Sequence, residues 1–275
     1  MNVEAPAVPV HERHRIGAPR GANDVNPDAN GDYMSMNNAL KIAFVATVRL
    51  VADIPLFWML YLLYRPTEGE GGIGALSFNA MIFTGFAGLH SLLTRRFAKD
   101  RLAAIVGEPY VRSVFSVVSG FTLMILLVLW RPVSGGLWRL DGLANWIVSA
   151  IFVLCIAGLV YTTTTIDYLD FLGLRDIVRS IKGKPARPSV FSTKGLYAYC
   201  RHPMYLCLLL ANWVAPVMNH GRLEFAVLST LFLLGGTIHE EKNLSAELGD
   251  AYDEYCRNVP MWLPRLTPWR PEERR

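Results

Sequence analysis

Charge is scarce in this chain, and what there is does not gather in one place. Asp, Glu, Lys and Arg make up 18% of its 275 residues, and the formal net charge is +4. So little charge beside so much apolar residue excludes a disordered chain. It also offers no basic patch, so no nucleic-acid partner is expected. Cysteine is sparse too: Cys155, Cys200, Cys207 and Cys256 form no C-x-x-C pair. A zinc finger or dithiol redox centre is therefore unsupported, no metal is expected, and free thiols in a reducing compartment are the natural reading. A phosphate-binding fingerprint is missing as well. Gly69-Glu-Gly-Gly-Ile-Gly74 has the glycines, but it joins two apolar runs where a phosphate loop needs a strand before it.

What the chain has is hydrophobic length. Apolar residues make up 52% and mean hydropathy is +0.27. Apolar runs cover roughly 39–63, 76–93, 111–130 and 145–165, each near the ~20 residues that cross a bilayer core. Two shorter runs, 203–218 and 223–238, are separated only by Asn219, His220, Gly221 and Arg222. They predict a tight helical hairpin, tilted or not fully crossing. Beyond 239 the chain becomes amphipathic and charged. The expected fold is all-α: a polytopic membrane helix bundle of four spanning helices, a C-terminal helical hairpin and a cytoplasmic C-terminal helix. Residues 1–34 are rich in Pro, Asn, Asp and Gly and predict a disordered polar tail. They lack a signal-peptide core, and Glu12, Asp24 and Asp28 argue against a transit peptide. Residues 35–275 are expected to form a single membrane domain.

Lys and Arg set the expected orientation. The loops 94–112 and 166–202 carry twelve of them, whereas the opposite loops carry four: Arg65, Arg131, Arg139 and Arg222. The positive-inside rule then places both termini and the basic loops in the cytoplasm, across a cytoplasmic (inner) membrane.

Within the runs, Arg49 and Asp53 stand at i, i+4 and predict a neutralised pair on one helix face. Thr162 to Thr165 end a helix by bonding back to carbonyls. His90 reads either as a packed interfacial group or as a base beside a substrate. The densest chemistry lies in Gly195-Leu-Tyr-Ala-Tyr-Cys-Arg-His-Pro-Met-Tyr205. Pro203 suits the first turn of the next helix. About 35 residues later, at the other end of the hairpin, comes His239-Glu-Glu-Lys242. A hairpin brings the two segments to one membrane face. They would form either a pocket of tyrosines, Arg201, His202 and a carboxylate pair, or a plain interfacial belt.

Arg201-His-Pro-Met-Tyr205, a hydrophobic hairpin, then Glu240, Glu241, Leu244, Gly249, Tyr252 and Tyr255 resemble the isoprenylcysteine carboxyl methyltransferase superfamily of integral-membrane methyltransferases. Within it, Leu172-Gly-Leu-Arg175, Lys182-Gly-Lys-Pro185, Pro188, Trp213, Pro216, Met218 and Val259-Pro260-Met261 are most similar to methanethiol S-methyltransferases. The resemblance covers roughly 80–275. It implies S-adenosyl-L-methionine as cofactor and a small thiol as substrate, turning methanethiol into dimethyl sulfide. It places the catalytic part at 166–265. It carries cofactor binding onto Tyr197, His202, Pro203, Met204, Tyr205 and Glu240, with Glu241 beside it as a further cofactor candidate; the chemistry of the side chains makes His239, His90 and Arg201 the catalytic candidates. Three positions depart from the pattern. Gly236 stands where the prenylcysteine enzymes have a substrate-binding arginine, which tells against a prenylcysteine acceptor. Cys207 replaces a common glycine, and His239 replaces an apolar residue.

That reaction is an in-line displacement by a thiolate. Thiolate and sulfonium lose their charges together, so a water-poor site favours reaction. Tyr197, Tyr205 and Trp213 are candidates for cation–π contact with the cofactor. Arg201 is a candidate for its carboxylate, and His239 or His90 for the thiol proton. The alternatives are an isoprenylcysteine carboxyl or lipid-amine methyltransferase, and a non-catalytic membrane protein on the same fold. Oligomeric state is not written in the sequence.

Overall fold

The computed structural model describes residues 38–166, 172–181 and 192–270. The expected tail at 1–34, and the motif residues Lys182 to Pro188, lie outside them. The chain divides into two units: Met1–Lys41, almost wholly outside the described residues, and Ile42–Arg275, which contains the helix bundle and the candidate site.

Nine α-helices occur among the described residues, in the order α1 Asn38–Tyr64, α2 Ile73–Leu93, α3 Arg96–Val106, α4 Val111–Leu129, α5 Gly142–Ile166, α6 Leu174–Ile181, α7 Pro203–Trp213, α8 His220–Leu248 and α9 Asp250–Asn258. Five of them, α1, α2, α4, α5 and α8, are long and apolar enough to cross a membrane. The fold is thus an all-α polytopic bundle, and the protein is an integral membrane protein. Phe57, Tyr61, Leu154 and Leu231 are exposed large side chains on the spanning helices, which suits a lipid-facing surface.

The hairpin has unequal arms. α7 stops after 11 residues because Val214 turns extended and Pro216 follows, and the residue before a proline avoids helix while proline itself lacks a donor. α8 runs for 29 residues, about 44 Å at 1.5 Å per residue. The second arm is therefore long enough for a fifth crossing, extended past the apolar run by its charged last turns. It stops at Gly249, whose φ of 58° suits glycine, and α9 then leaves at an angle. The only strands among the described residues, β1 Gly136–Arg139 and β2 Val217–Asn219, pair antiparallel. They tie the α4–α5 connection to the hairpin turn.

The main core sits toward that turn. Met59, Leu63, Phe83, Leu126, Phe152, Ala211 and Phe225 pack there, with Phe83 and Phe225 edge to face at 5.6 Å. Buried Asn79 stitches the same end: its amide donates to the Arg131 carbonyl at 2.9 Å and to Glu224 at 3.1 Å. Arg49 and Asp53 pair at 3.7 Å along α1. Thr162 to Thr165 bond back to the carbonyls of Leu159, Val160 and Tyr161, as their position at a helix end predicts.

Candidate functional site

The other end of the bundle is polar and strapped. Pro203 opens α7 at its first turn, so the backbone turns sharply at His202 and presents Arg201 and His202 beside the last turns of α8. There Arg201 meets Glu241 as a fork: Nε donates to Oε1 at 2.6 Å and Nη2 to Oε2 at 2.9 Å. Nη1 donates to the carbonyls of Cys256 at 2.9 Å and Val259 at 2.6 Å. All three guanidinium nitrogens are committed, and both partners are largely buried, with side chains 10% and 16% exposed. His202 Nε2 donates to Glu241 Oε1 at 2.9 Å. Its Nδ1 faces Glu240 at 4.0 Å, beyond hydrogen-bond reach.

Glu240 is the odd member. Its Oε2 is buried and has no hydrogen-bond partner, while the side chain as a whole is 43% exposed. Buried carboxylate oxygens are rarely left so. The Tyr205 hydroxyl lies beside this carboxylate, and the Tyr205 ring stacks on His202 with centroids 5.5 Å apart and planes 6° from parallel. Tyr197 is buried; burial, then the nearby Glu240 charge, pushes its phenol well above the ordinary tyrosine range. It therefore stays protonated.

The C-terminal segment holds this arrangement from outside. Arg201 N donates to Pro260 O at 2.9 Å and His202 N to Met261 O at 3.2 Å. Arg265 N donates to Tyr199 O at 3.0 Å and Trp269 N to Ala198 O at 2.9 Å. The Tyr255 hydroxyl donates to Tyr197 O at 2.6 Å, and Trp262 tilts against His202 at 6.2 Å. Trp262 and the backbone strap around it escape sequence reasoning, because main-chain bonds have no residue signature. The Val259-Pro260-Met261 stretch was the available signal.

Of the expected site residues, the structure brings together Tyr197, Arg201, His202, Tyr205, Glu240 and Glu241. Pro203 shapes the turn, and Met204 packs onto the main core. His239 stands apart. Its Nδ1 lies 3.3 Å from Arg95 and its Nε2 3.2 Å from Asn243, because one residue of helix rotates it about 100° from Glu240. His90 is caged by Phe86, Phe115 and Phe232, with ring centroids 5.8, 4.9 and 5.5 Å away. Its Nδ1 is buried without a partner. Phe232 precedes Glu240 by two turns of α8, so His90 sits about 12 Å deeper along that helix. Trp213 lies at the far end of α7 and donates to Thr230 at 3.0 Å, away from the tyrosines. Cys207, in place of the common glycine, is received by Gly158 of α5. A Cβ there would come within 2.7 Å of the Cys207 sulfur, so the small residue has moved to the facing helix.

Among the described residues no group of three or more His, Cys, Asp or Glu could hold a metal.

The NnrU protein family model matches residues 80–243. Methanethiol S-methyltransferase 2 of Bradyrhizobium diazoefficiens is 34% identical over 192 residues, 70% of this chain and 74% of that protein. Methanethiol S-methyltransferase of Pseudomonas deceptionensis is 32% identical over 195 residues, 70% of this chain and 74% of that protein. Nurim of Bos taurus is 29% identical over 175 residues, 59% of this chain and 66% of that protein. No solved structure matches the chain.

Proposed function

The chain belongs to the NnrU family, and from that premise we propose that it is a membrane methyltransferase that uses S-adenosylmethionine to methylate a small thiol. Methanethiol is the acceptor and dimethyl sulfide the product. The single observation that carries this reading is the junction of Arg201-His202 with Glu240-Glu241, in a chain 34% identical to a methanethiol S-methyltransferase. The junction leaves one buried carboxylate oxygen unpartnered. The catalytic part runs from 166 to 265, and the basic loops put this end in the cytoplasm.

The residues present fit that cofactor. When bound, S-adenosylmethionine supplies a methyl group on a cationic sulfur. Glu240 Oε2, an acceptor lacking a donor, suits its hydroxyl or amino groups. The Tyr197 and Tyr205 rings suit the cation, at roughly 0.5–2 kcal/mol for each contact. Glu241 does not bind it: between Arg201 and His202 it fastens the hairpin to the R-H-P turn and so aims Glu240. Arg201 is a positioning residue, since its three nitrogens are already used. Pro203 and Met204 hold that turn against the bundle.

The acceptor side runs inward from Glu240. Gly235 and Gly236 are exposed on the surface of α8, with nothing within 4 Å of a Cβ built on either. His90 lies deeper, in its cage of three phenylalanines. The cage is apolar, so a small thiol held beside it would lose water from its sulfur. The unpartnered His90 Nδ1 accepts the thiol proton. His239 faces Arg95 in the α2–α3 turn and is left outside the reaction.

The test is a headspace assay on membranes supplied with methyl-labelled S-adenosylmethionine and, in parallel, methanethiol, hydrogen sulfide or a prenylcysteine analogue. Labelled dimethyl sulfide from wild type, lost in Tyr205→Ala, supports the reading. Label in the prenylcysteine product alone refutes the small-thiol acceptor.

A further inference from the structure

Arg222 lies in the first turn of α8, about 27 Å along the helix from Glu240, which is nearly the thickness of a bilayer core. The residue is 4% exposed. Its Nη2 donates to the carbonyls of Ala211, Asn212 and Val214 at 3.0, 3.3 and 3.4 Å, closing the free end of α7. That task occupies one nitrogen. Nε and Nη1 are buried without a hydrogen-bond partner. They belong to a residue lining a half-open cavity of about 50 Å³ between the ends of α1 and α4 and the start of α8.

The cavity's other walls are apolar or neutral: Met59, Leu63, Trp130, Val133 and Phe225 among them, and no carboxylate lines it. Glu224, two residues on, is turned to Asn79 instead. A buried guanidinium with free donors and, among the described residues, no ion-pair partner is costly, and a free guanidinium N–H offers an oxyanion a charge-assisted hydrogen bond. The first-turn amides of α8 add a positive helix end. The apolar walls at a membrane face match an aliphatic chain.

We infer that this cavity binds an oxyanion carried on an apolar chain, the head of an anionic lipid or of a fatty acid, with Arg222 as its anchor. The site is independent of methyl transfer and sits at the opposite face.

The experiment uses full-length protein in detergent, with native mass spectrometry and melting as readouts. The probes are phosphatidylglycerol with oleoyl chains, oleate and inorganic phosphate. Retention of phosphatidylglycerol or oleate, with a raised melting temperature, is expected for wild type, and the amphiphile that binds identifies the head group. Arg222→Gln should weaken that binding about tenfold or more, as expected for the loss of charge-assisted hydrogen bonds. Thr67→Trp, at the exposed rim, should block the mouth while leaving Arg222 and the core in place. It carries the test should Arg222→Gln not fold. Three results overturn the inference: no amphiphile bound by wild type, inorganic phosphate bound as tightly as the amphiphiles, or unchanged amphiphile binding in either folded variant.

Discussion

Each end of the bundle buries an arginine, and the two ends treat it oppositely. Arg201 has every nitrogen satisfied, by one carboxylate and two carbonyls. Arg222 spends one nitrogen on carbonyls and keeps two without partners. Full pairing makes Arg201 a fastener, and leftover donors make Arg222 a receptor. The same distinction separates the neighbouring glutamates: Glu241 is saturated, and Glu240 keeps a buried oxygen free. Capacity to bind is legible in what a buried group leaves over.

The harshest way to break the contrast is Glu241→Ala. It strands Arg201 beside a buried gap and should cost about 3–5 kcal/mol, the usual loss when one partner of a buried ion pair is removed. A large fall in the detergent melting temperature checks it. Glu240→Gln should instead leave melting near wild type but lower methyl transfer roughly ten- to a hundredfold, since a hydrogen bond to a charged group is worth about 1.5–3 kcal/mol. Activity and melting measured on one preparation separate the two glutamates. Tyr255→Phe removes the bond to the Tyr197 carbonyl and should cost about 1 kcal/mol, visible as a small melting shift with the strap still in place.

The smallest expected effect is a pH dependence. Burial, then the neighbouring Cys207, pushes the Cys200 thiol up from 9.0 to about 11. The folded state therefore holds this proton more tightly than the unfolded chain does. The contribution is complete below pH 9 and is lost as pH rises toward 11. Cys200→Ala should flatten the alkaline decline in melting temperature over that window.

Much of this was legible in the sequence. Run length gave the membrane bundle, and the hairpin spacing put Arg201 and His202 beside Glu240 and Glu241. Three things were not legible. The length of α8 was hidden because its last three turns are charged, so hydropathy stops before the helix does. The strap from Val259 to Trp269 works through main-chain bonds, which any residue can make. Arg222 counted as one loop charge among four, because sequence cannot tell an arginine in solvent from one buried beside a cavity that Trp130 and Phe225 also line. The histidines split for a related reason: His239 is adjacent to Glu240 in sequence but a third of a turn away on the helix.

The most direct measurement is calorimetric titration of S-adenosylhomocysteine into purified wild type and Glu240→Gln, both shown to be folded by melting. Wild type should bind saturably at one site, and Glu240→Gln should lose or strongly weaken that binding. Equal binding by the two proteins, or none by wild type, would contradict the assignment of the methyl-donor site to the Arg201 end.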